Sequence, residues 1–318
     1  MTLARLSWLV AFLAVAASGA VAAPQHLTLA RPNAPEIDWY LDQRASTGRQ
    51  GILVIAQGSG CGSVAGNRNV EAAKRLLPDF AVVTVEKYGV SPGAVATGQA
   101  DCSKLFWAHH TVSQRVADYR AVIEKLKAEP WWNGQLVLFG GSEGGAVVQI
   151  LAAEVDANAA VIFSSATGMP FRDAFVQVLP PEVAAEAPAA LEKARRNPLS
   201  PEVWGGNSLR WYADIADRPL WEDALKARGA LLVVQGVRDR SNPVSSARAF
   251  RDAFAALHRA NLTYWEYEDY DHGMVDPAGA SHLPEVLSRI SSWIRLHLAG
   301  GAEAKEPFER RARPHRTG

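Results

Sequence analysis

The chain has 318 residues, in which 33 Lys and Arg balance 33 Asp and Glu, 48% of residues are hydrophobic and two are cysteine. Balanced charge gives no electrostatic case for nucleic acid as a partner, and two cysteines are too few for a small disulfide-built scaffold. The length and apolar content suit one large α/β domain with an insertion.

In chain order, Arg5 precedes the apolar stretch Leu6 to Ala17, followed by the small-residue run Ser18-Gly19-Ala20-Val21-Ala22-Ala23-Pro24. A basic start, an apolar core and a small-residue cleavage site predict a cleaved secretory signal peptide over 1–22, and hence a secreted or periplasmic protein. The apolar core is too short to span a bilayer and no second run of about 20 apolar residues follows, so stable membrane insertion is not expected. Roughly 295 residues then remain for the fold.

Gly51-Ile52-Leu53-Val54-Ile55-Ala56 reads as a buried strand, with Gln57-Gly58-Ser59-Gly60 after it. Gly60-Cys61-Gly62-Ser63-Val64-Ala65 matches GxGxxA, and Glu86 ends the next strand, Ala81 to Val85, where a ribose-binding acid would stand. That pattern belongs to a dinucleotide-binding oxidoreductase, but Gln57 to Ser59 intervene before the first glycine, whereas the fingerprint follows its strand directly. His109-His110 could suggest a metal. Adjacent histidines point apart, however, and no acidic partner stands at helical spacing, so a cap or surface role is expected and no metal site. Thr111-Val112-Ser113-Gln114 reads as a capping box opening a helix whose apolar face carries Val112, Val116, Tyr119, Ile123 and Leu126. The Trp131-Trp132-Asn133-Gly134 turn ends it.

The apolar run Leu136 to Phe139 is followed by Gly140-Gly141-Ser142-Glu143-Gly144-Gly145 and then by the helix-like Ala146 to Leu151. This is GxSxG between a buried strand and a helix, the context of a nucleophile elbow. Small neighbours are required there because the serine sits in a strained turn whose flanks would otherwise collide. A glycine-rich loop that merely starts a helix is the plain alternative, and the strand before and helix after count against it. Glu143 puts a carboxylate at a helix N-terminus, where the dipole favours negative charge; a contact to a cationic group on a substrate is the other use for it.

Ala159 to Ser164 forms the next strand, and roughly 65 residues separate it from the strand after, far more than an ordinary connection. This segment, about 168–228, is rich in alanine, proline and glutamate from Pro180 to Glu192 and carries Trp204, Trp211, Tyr212 and Trp221. Aromatics at that density pack an insertion onto a body, or line a substrate pocket for an apolar group.

Ala230 to Gly236 reads as a buried parallel strand, which places Asp239 in the loop at its C-terminal end, where such sheets collect functional groups. Of the later histidines, His258 falls in the helical run Ser245 to Ala260, His282 at a helix start, His297 in the last helix and His315 in a basic tail. His272 alone follows a strand, Leu262 to Tyr267, in the loop Asp269 to Met274. Asp239 could be a turn residue ahead of Asn242-Pro243, and His272 a solvated loop histidine paired with Asp271. Asp269 and Asp271 flank His272, yet a residue adjacent on an extended backbone seldom faces its neighbour's ring. Residues 300–318 form a basic, proline-containing tail expected to be disordered, with surface attachment the alternative.

With Ser142, Asp239 and His272 in that order, each after a strand, the chain resembles the alpha/beta-hydrolase superfamily from about Gly51 to Leu298. The resemblance takes in its serine esterase and prolyl-oligopeptidase-like branches. It implies an α/β domain over 24–299 with a mostly parallel sheet, helices on both faces and an inserted lid over 168–228. It assigns Ser142 as nucleophile, His272 as general base and then acid, and Asp239 as the group that orients the imidazole. The oxyanion hole would use the backbone N–H of Glu143 and that of Ser59 or Gly60; relatives often begin this loop His-Gly, from which Gln57 departs. Cys61 and Cys102 fall in loops after strands adjacent in such a sheet, so a disulfide between them is expected in an exported protein. The implied substrate is a small ester or short peptide, and no cofactor is called for. An esterase is the first reading. A prolyl-oligopeptidase-like peptidase is the second, since GxSxGG with an insertion is similar to that branch. A non-enzymatic binding protein on the same fold is the third, and the complete triad counts against it.

Overall fold

The computed structural model describes residues 23–43, 48–165 and 167–303; the stretch expected to be a signal peptide, 1–22, and the expected tail from 304 lie outside the described residues. The strands of the main sheet are β1 (Gln25–Arg31), β2 (Ala34–Asp42), β3 (Gln50–Ala56), β4 (Ala81–Val85), β5 (Trp132–Gly141) and β6 (Ala159–Phe163). After the insertion, whose short hairpin is β7 (Val203–Trp204) and β8 (Asn207–Ser208), come β9 (Ala230–Gly236) and β10 (Leu262–Tyr267). The eight strands of the main sheet lie in the order β1-β2-β4-β3-β5-β6-β9-β10. From β4 to β10 every neighbour is parallel, while β1 and β2 form an antiparallel hairpin that joins the edge at β4. This hairpin precedes Gly51 and is an addition to the strands read from the sequence.

The parallel strands are apolar without alternation because both of their faces are covered. On one face Ile52, Val54, Leu138 and Ile162 pack with α3 (Val112–Lys127), α4 (Glu143–Glu154) and α9 (Val244–Ala256). On the other, Leu53, Ile55, Val137 and Val161 pack with α1 (Arg68–Ala73) and α10 (Leu283–Glu303). A short α2 (Lys104–His109) precedes α3. The mostly parallel sheet with helices on both faces is the architecture expected.

Three local expectations are corrected. Thr111 caps α3 by accepting from Gln114 N–H at 3.1 Å, but the Gln114 amide donates to Asp118, so the capping box is only half made. The run of Ser245 to Ala260 is helical only to Ala256, and His258 lies beyond it with a positive φ of 51°. The last helix continues through Gly300 and Gly301 to Glu303, four residues into the stretch expected to be a tail.

The insertion folds as α5 (Phe171–Val176), α6 (Pro181–Arg196), the β7-β8 hairpin, α7 (Leu209–Ile215) and α8 (Leu220–Ala224). It docks on the face that carries α3 and α4, with α7 against α3 and α8 against α4. That leaves α1 and α10 on the opposite face free to wall a cavity at the C-terminal end of the sheet.

Candidate active site

Ser142 sits between β5 and α4 with φ 54° and ψ −129°, a backbone conformation that costs a non-glycine residue about 1–3 kcal/mol and persists only where its surroundings impose it. Those surroundings are hydrogen bonds and close packing. Ser142 N–H donates to the Phe163 carbonyl at 3.0 Å, and its own carbonyl accepts from Gly145 N–H at 2.8 Å. A Cβ at Gly140 would strike the Gly144 carbonyl, and one at Gly144 would strike the Ala56 carbonyl. The first and last residues of GxSxG are therefore glycine for want of room, whereas a Cβ on Gly141 would meet Phe163 only at ordinary van der Waals distance.

Asp239 and His272 leave the ends of β9 and β10, which are paired, so their loops lie side by side. His272 Nδ1 stands 2.8 Å from Asp239 Oδ2. The Asp239 side chain is fully buried and its other oxygen accepts from the N–H groups of Ser241 and Asn242 at 2.7 and 2.8 Å. Asp239 thus builds its turn and holds the imidazole as well. Gln235, on β9, donates a further bond to Oδ2 at 3.1 Å. Asp271 is otherwise engaged: its Oδ1 accepts from Gly273 and Val275 N–H and shapes the loop. The Ser164 hydroxyl donates to the His272 carbonyl at 3.0 Å, fixing the backbone from which the ring projects.

Strand β3 is the neighbour of β5, so the loop after it runs beside the elbow. An ideal Cβ on Gly58 would be 3.4 Å from Ser142 Cβ, which measures how close the two segments come. Gln57 braces its own loop, donating from Nε2 to the Gly62 carbonyl at 2.9 Å. Cys61 is bonded to Cys102, with Cα atoms 5.4 Å apart, joining this loop to the one after β4. The GxGxxA run also has a structural part here: Glu86 is buried and accepts from the Ser63 hydroxyl and Val64 N–H, which leaves it no access to a ribose. Burial pushes the Glu86 carboxyl above its ordinary range.

Under the elbow lies a group of buried charges. Glu143 is not available to a substrate cation. Its side chain is 3% exposed and accepts from Arg115 Nη1 at 2.5 Å, with His110 Nε2 at 3.1 Å. Burial alone would raise its carboxyl, but the His110 ring and the Arg115 guanidinium hold it well below the usual carboxylate range. His110 ends α2 in a cap position and is buried against Phe106, not at the surface as one reading of His109-His110 expected. Burial pushes its imidazole down, against the opposing pull of the Glu143 carboxylate. Lys87 is fully buried too; desolvation, with Arg115 nearby, lowers its ammonium to about 7. Among the described residues no group of three His, Cys, Asp or Glu side chains is placed to hold a metal ion, and no helix is long and apolar enough to cross a membrane.

A cavity of about 310 Å³ opens at the elbow. Ser142, His272, Gly58 and Ser59 line it, its apolar wall is made by Val70, Phe139, Phe163, Leu283 and Leu287, and Asn67 and Asn69 add polar groups. Gly60 is not among its lining residues, so of the two loop positions proposed for the oxyanion hole Ser59 is the one at the cavity. None of Trp204, Trp211 and Trp221 lines it either. Trp211 is buried in the core on the opposite face, where it meets Phe171 and Tyr212, and Trp204 and Trp221 pack against that same core. All three pack the insertion, which docks on the α3 and α4 face, while this cavity lies under α1 and α10.

Arg115, Lys87, Gln235 and Ser164 went unread in the sequence. Arg115 carried a signal, since it falls between Val112 and Val116 on the buried stripe of α3, where a charge needs a partner. Gln235 carried another, as the one amide in the apolar run of β9.

No family model matches the sequence, and no curated protein matches it. Solved structures do. Est1E from Butyrivibrio proteoclasticus superposes with a TM-score of 0.57 at 17% identity, covering 86% of this chain and 99% of that one. A Pyrococcus furiosus esterase gives 0.57 at 13% identity over 86% and 91% of the two chains. Porphyromonas gingivalis dipeptidyl peptidase 4 gives 0.59 at 12% identity, over 86% of this chain and 35% of that one. The chain has the alpha/beta-hydrolase fold, which esterases and peptidases share.

Proposed function

We propose that this protein is an exported serine hydrolase that cleaves carboxylic esters through an acyl-enzyme. The observation that carries the reading is the 2.8 Å pairing of His272 Nδ1 with the buried Asp239, at a cavity that also holds Ser142 on its strained apex. In this mechanism Asp239 accepts Nδ1–H and so leaves Nε2 of His272 as the free base. Nε2 removes the Ser142 hydroxyl proton as Oγ attacks the ester carbonyl. The resulting oxyanion is held by the N–H groups of Glu143 and Ser59, and collapse expels the alcohol, which takes the proton from Nε2. Water, deprotonated by His272, then attacks the acyl-enzyme and regenerates Ser142. The residues supply nucleophile, base and electrostatic stabilisation, so the route calls for no metal or organic cofactor. The apolar wall of Phe139, Phe163, Leu283 and Leu287 favours an apolar acyl or alcohol group. Export is supported by the leader-like composition of residues 1–22 and by the Cys61–Cys102 bond.

A prolyl-oligopeptidase-like peptidase is the second reading, favoured by the likeness to dipeptidyl peptidase 4. The test is labelling by a fluorophosphonate probe, followed by turnover of a panel of esters and aminoacyl amides. Labelling at Ser142 and hydrolysis of esters far above amides is expected, and preferential amide cleavage would shift the assignment to peptidase. Ser142→Ala should lose on the order of 10⁴-fold in turnover while keeping its fold, and Asp239→Asn should be severely impaired while Asp271→Asn is not. A folded Ser142→Ala with a tenth of wild-type activity would defeat the mechanism.

A further inference from the structure

The hydrolytic steps use no side chain from the buried charge cluster, yet the cluster grips the loop that borders Ser142. Arg115 Nη2 donates to the Gln57 carbonyl at 2.7 Å while its Nη1 holds the Glu143 carboxylate. Lys87 Nζ donates to the carbonyls of Gly58 and Gly60, at 2.5 Å each. Three carbonyls in the segment 57–60 are thereby turned inward onto the nitrogens of two side chains. A trans peptide unit is planar, with its C=O and the next residue's N–H pointing in opposite directions. Fixing the Gly58 carbonyl onto Lys87 therefore turns the Ser59 N–H outward, to the side where Ser59 meets the cavity. Fixing the Gln57 carbonyl onto Arg115 does the same for Gly58.

The same guanidinium reaches both halves of the hole. Glu143 supplies one N–H from the start of α4, the 57–60 loop supplies the other, and Arg115 bonds to both segments. Its arm comes from α3, a third element, so the spacing between the two donors is referred to a fixed helix. His110, stacked on Phe106 with ring centroids 4.5 Å apart, closes the far side of the Glu143 carboxylate. Buried ion pairs seldom add stability, since desolvation offsets attraction. Aligned donors in a water-poor site are, by contrast, worth much to a developing oxyanion.

We propose that Arg115, Lys87 and the Glu143 carboxylate are positioning residues that set the oxyanion hole, by holding the carbonyls of Gln57, Gly58 and Gly60 away from the cavity. The inference rests on the serine hydrolase reading above. It is tested with Arg115→Lys, which keeps the charge but lacks the planar fork whose two nitrogens reach Gln57 and Glu143 separately, with Lys87→Met, and with the near-isosteric Glu143→Gln. Each is assayed with p-nitrophenyl acetate and with 1,1,1-trifluoroacetophenone, whose adduct with Ser142 carries an oxyanion, and folding is followed by circular dichroism.

The expected result is a fall in kcat of about 10- to 100-fold with KM changed by less than about threefold. Inhibition by the ketone should weaken by a similar factor to kcat/KM, which a merely structural role would not produce in a folded variant. Folded variants with wild-type kcat and ketone affinity would overturn the proposal, as would a loss confined to KM. Failure of all three to fold would overturn it also, since the cluster would then serve the fold and not the hole. A dead Ser142→Ala beside unaffected cluster variants defeats this inference alone, whereas an active Ser142→Ala defeats the serine reading on which it stands.

Discussion

At the scale of single residues, what the sequence showed and what it hid divide by how each residue meets its partners. Ser142, Asp239 and His272 were legible because each follows a strand, and a strand's end is marked by its apolar run. Lys87 also follows a strand, but its partners are carbonyl oxygens of Gly58 and Gly60, and backbone atoms leave no trace in residue identity. Its burial has a consequence that pH can reveal. The ammonium is depressed to about 7 in the fold against an ordinary 10.5 when exposed, so between those values the unfolded chain binds the proton and the native one does not. Stability from this group therefore rises with pH from about 7 toward 10.5 and is lost as pH falls through 7. The charged groups that face Lys87 are Glu86, Arg115 and Glu143, with the His110 ring beside them. Thermal unfolding of wild type and Lys87→Met across pH 7 to 9 should show wild type gaining on the variant, by up to about 1.4 kcal/mol per pH unit. Parallel curves would mean that Lys87 keeps its proton throughout.

At the scale of elements, the length of the 168–228 segment was readable, but the face on which it docks was not. Period and composition tell that helices form there; which side of the sheet they cover depends on the crossovers of α3 and α4 and on matching apolar stripes far apart in the chain. The insertion took the α3 and α4 face, so the cavity walls fall to α1 and α10 and to two phenylalanines of β5 and β6. Specificity should follow those walls. Leu287→Ala should lower kcat/KM for a hexanoate ester by on the order of tenfold relative to acetate, as expected for apolar contact removed from one end of a substrate. Trp211→Ala should instead destabilise the protein by about 3 kcal/mol and leave the ratio of the two esters unchanged. A changed ester ratio in Trp211→Ala, with none in Leu287→Ala, would return the pocket to the insertion.

At the scale of the whole molecule, the parallel sheet brings together groups from residues 57 to 272 because every functional loop leaves the same edge of adjacent strands. That arrangement needs no contact between the loops themselves, so each cross-link between them marks a place where sheet geometry alone is too loose. The Cys61–Cys102 bond is such a link: it ties the loop after β3 to the segment that leads into α2 and His110. Over a separation of 41 residues, chain entropy gives it roughly 4 kcal/mol against the unfolded state. Its opening should act on activity as well as stability, because Phe106, packed with Cys61 and Val90, stacks on the ring of His110 that borders Glu143. Cys61→Ala with Cys102→Ala should thus lower the unfolding temperature and also reduce kcat by several-fold at temperatures where the variant is fully folded. Mass spectrometry of the natively purified protein without reduction checks the bond itself. Full activity in a folded, bond-free variant would confine the disulfide to stability and leave the set of the oxyanion loop to Arg115 and Lys87 alone.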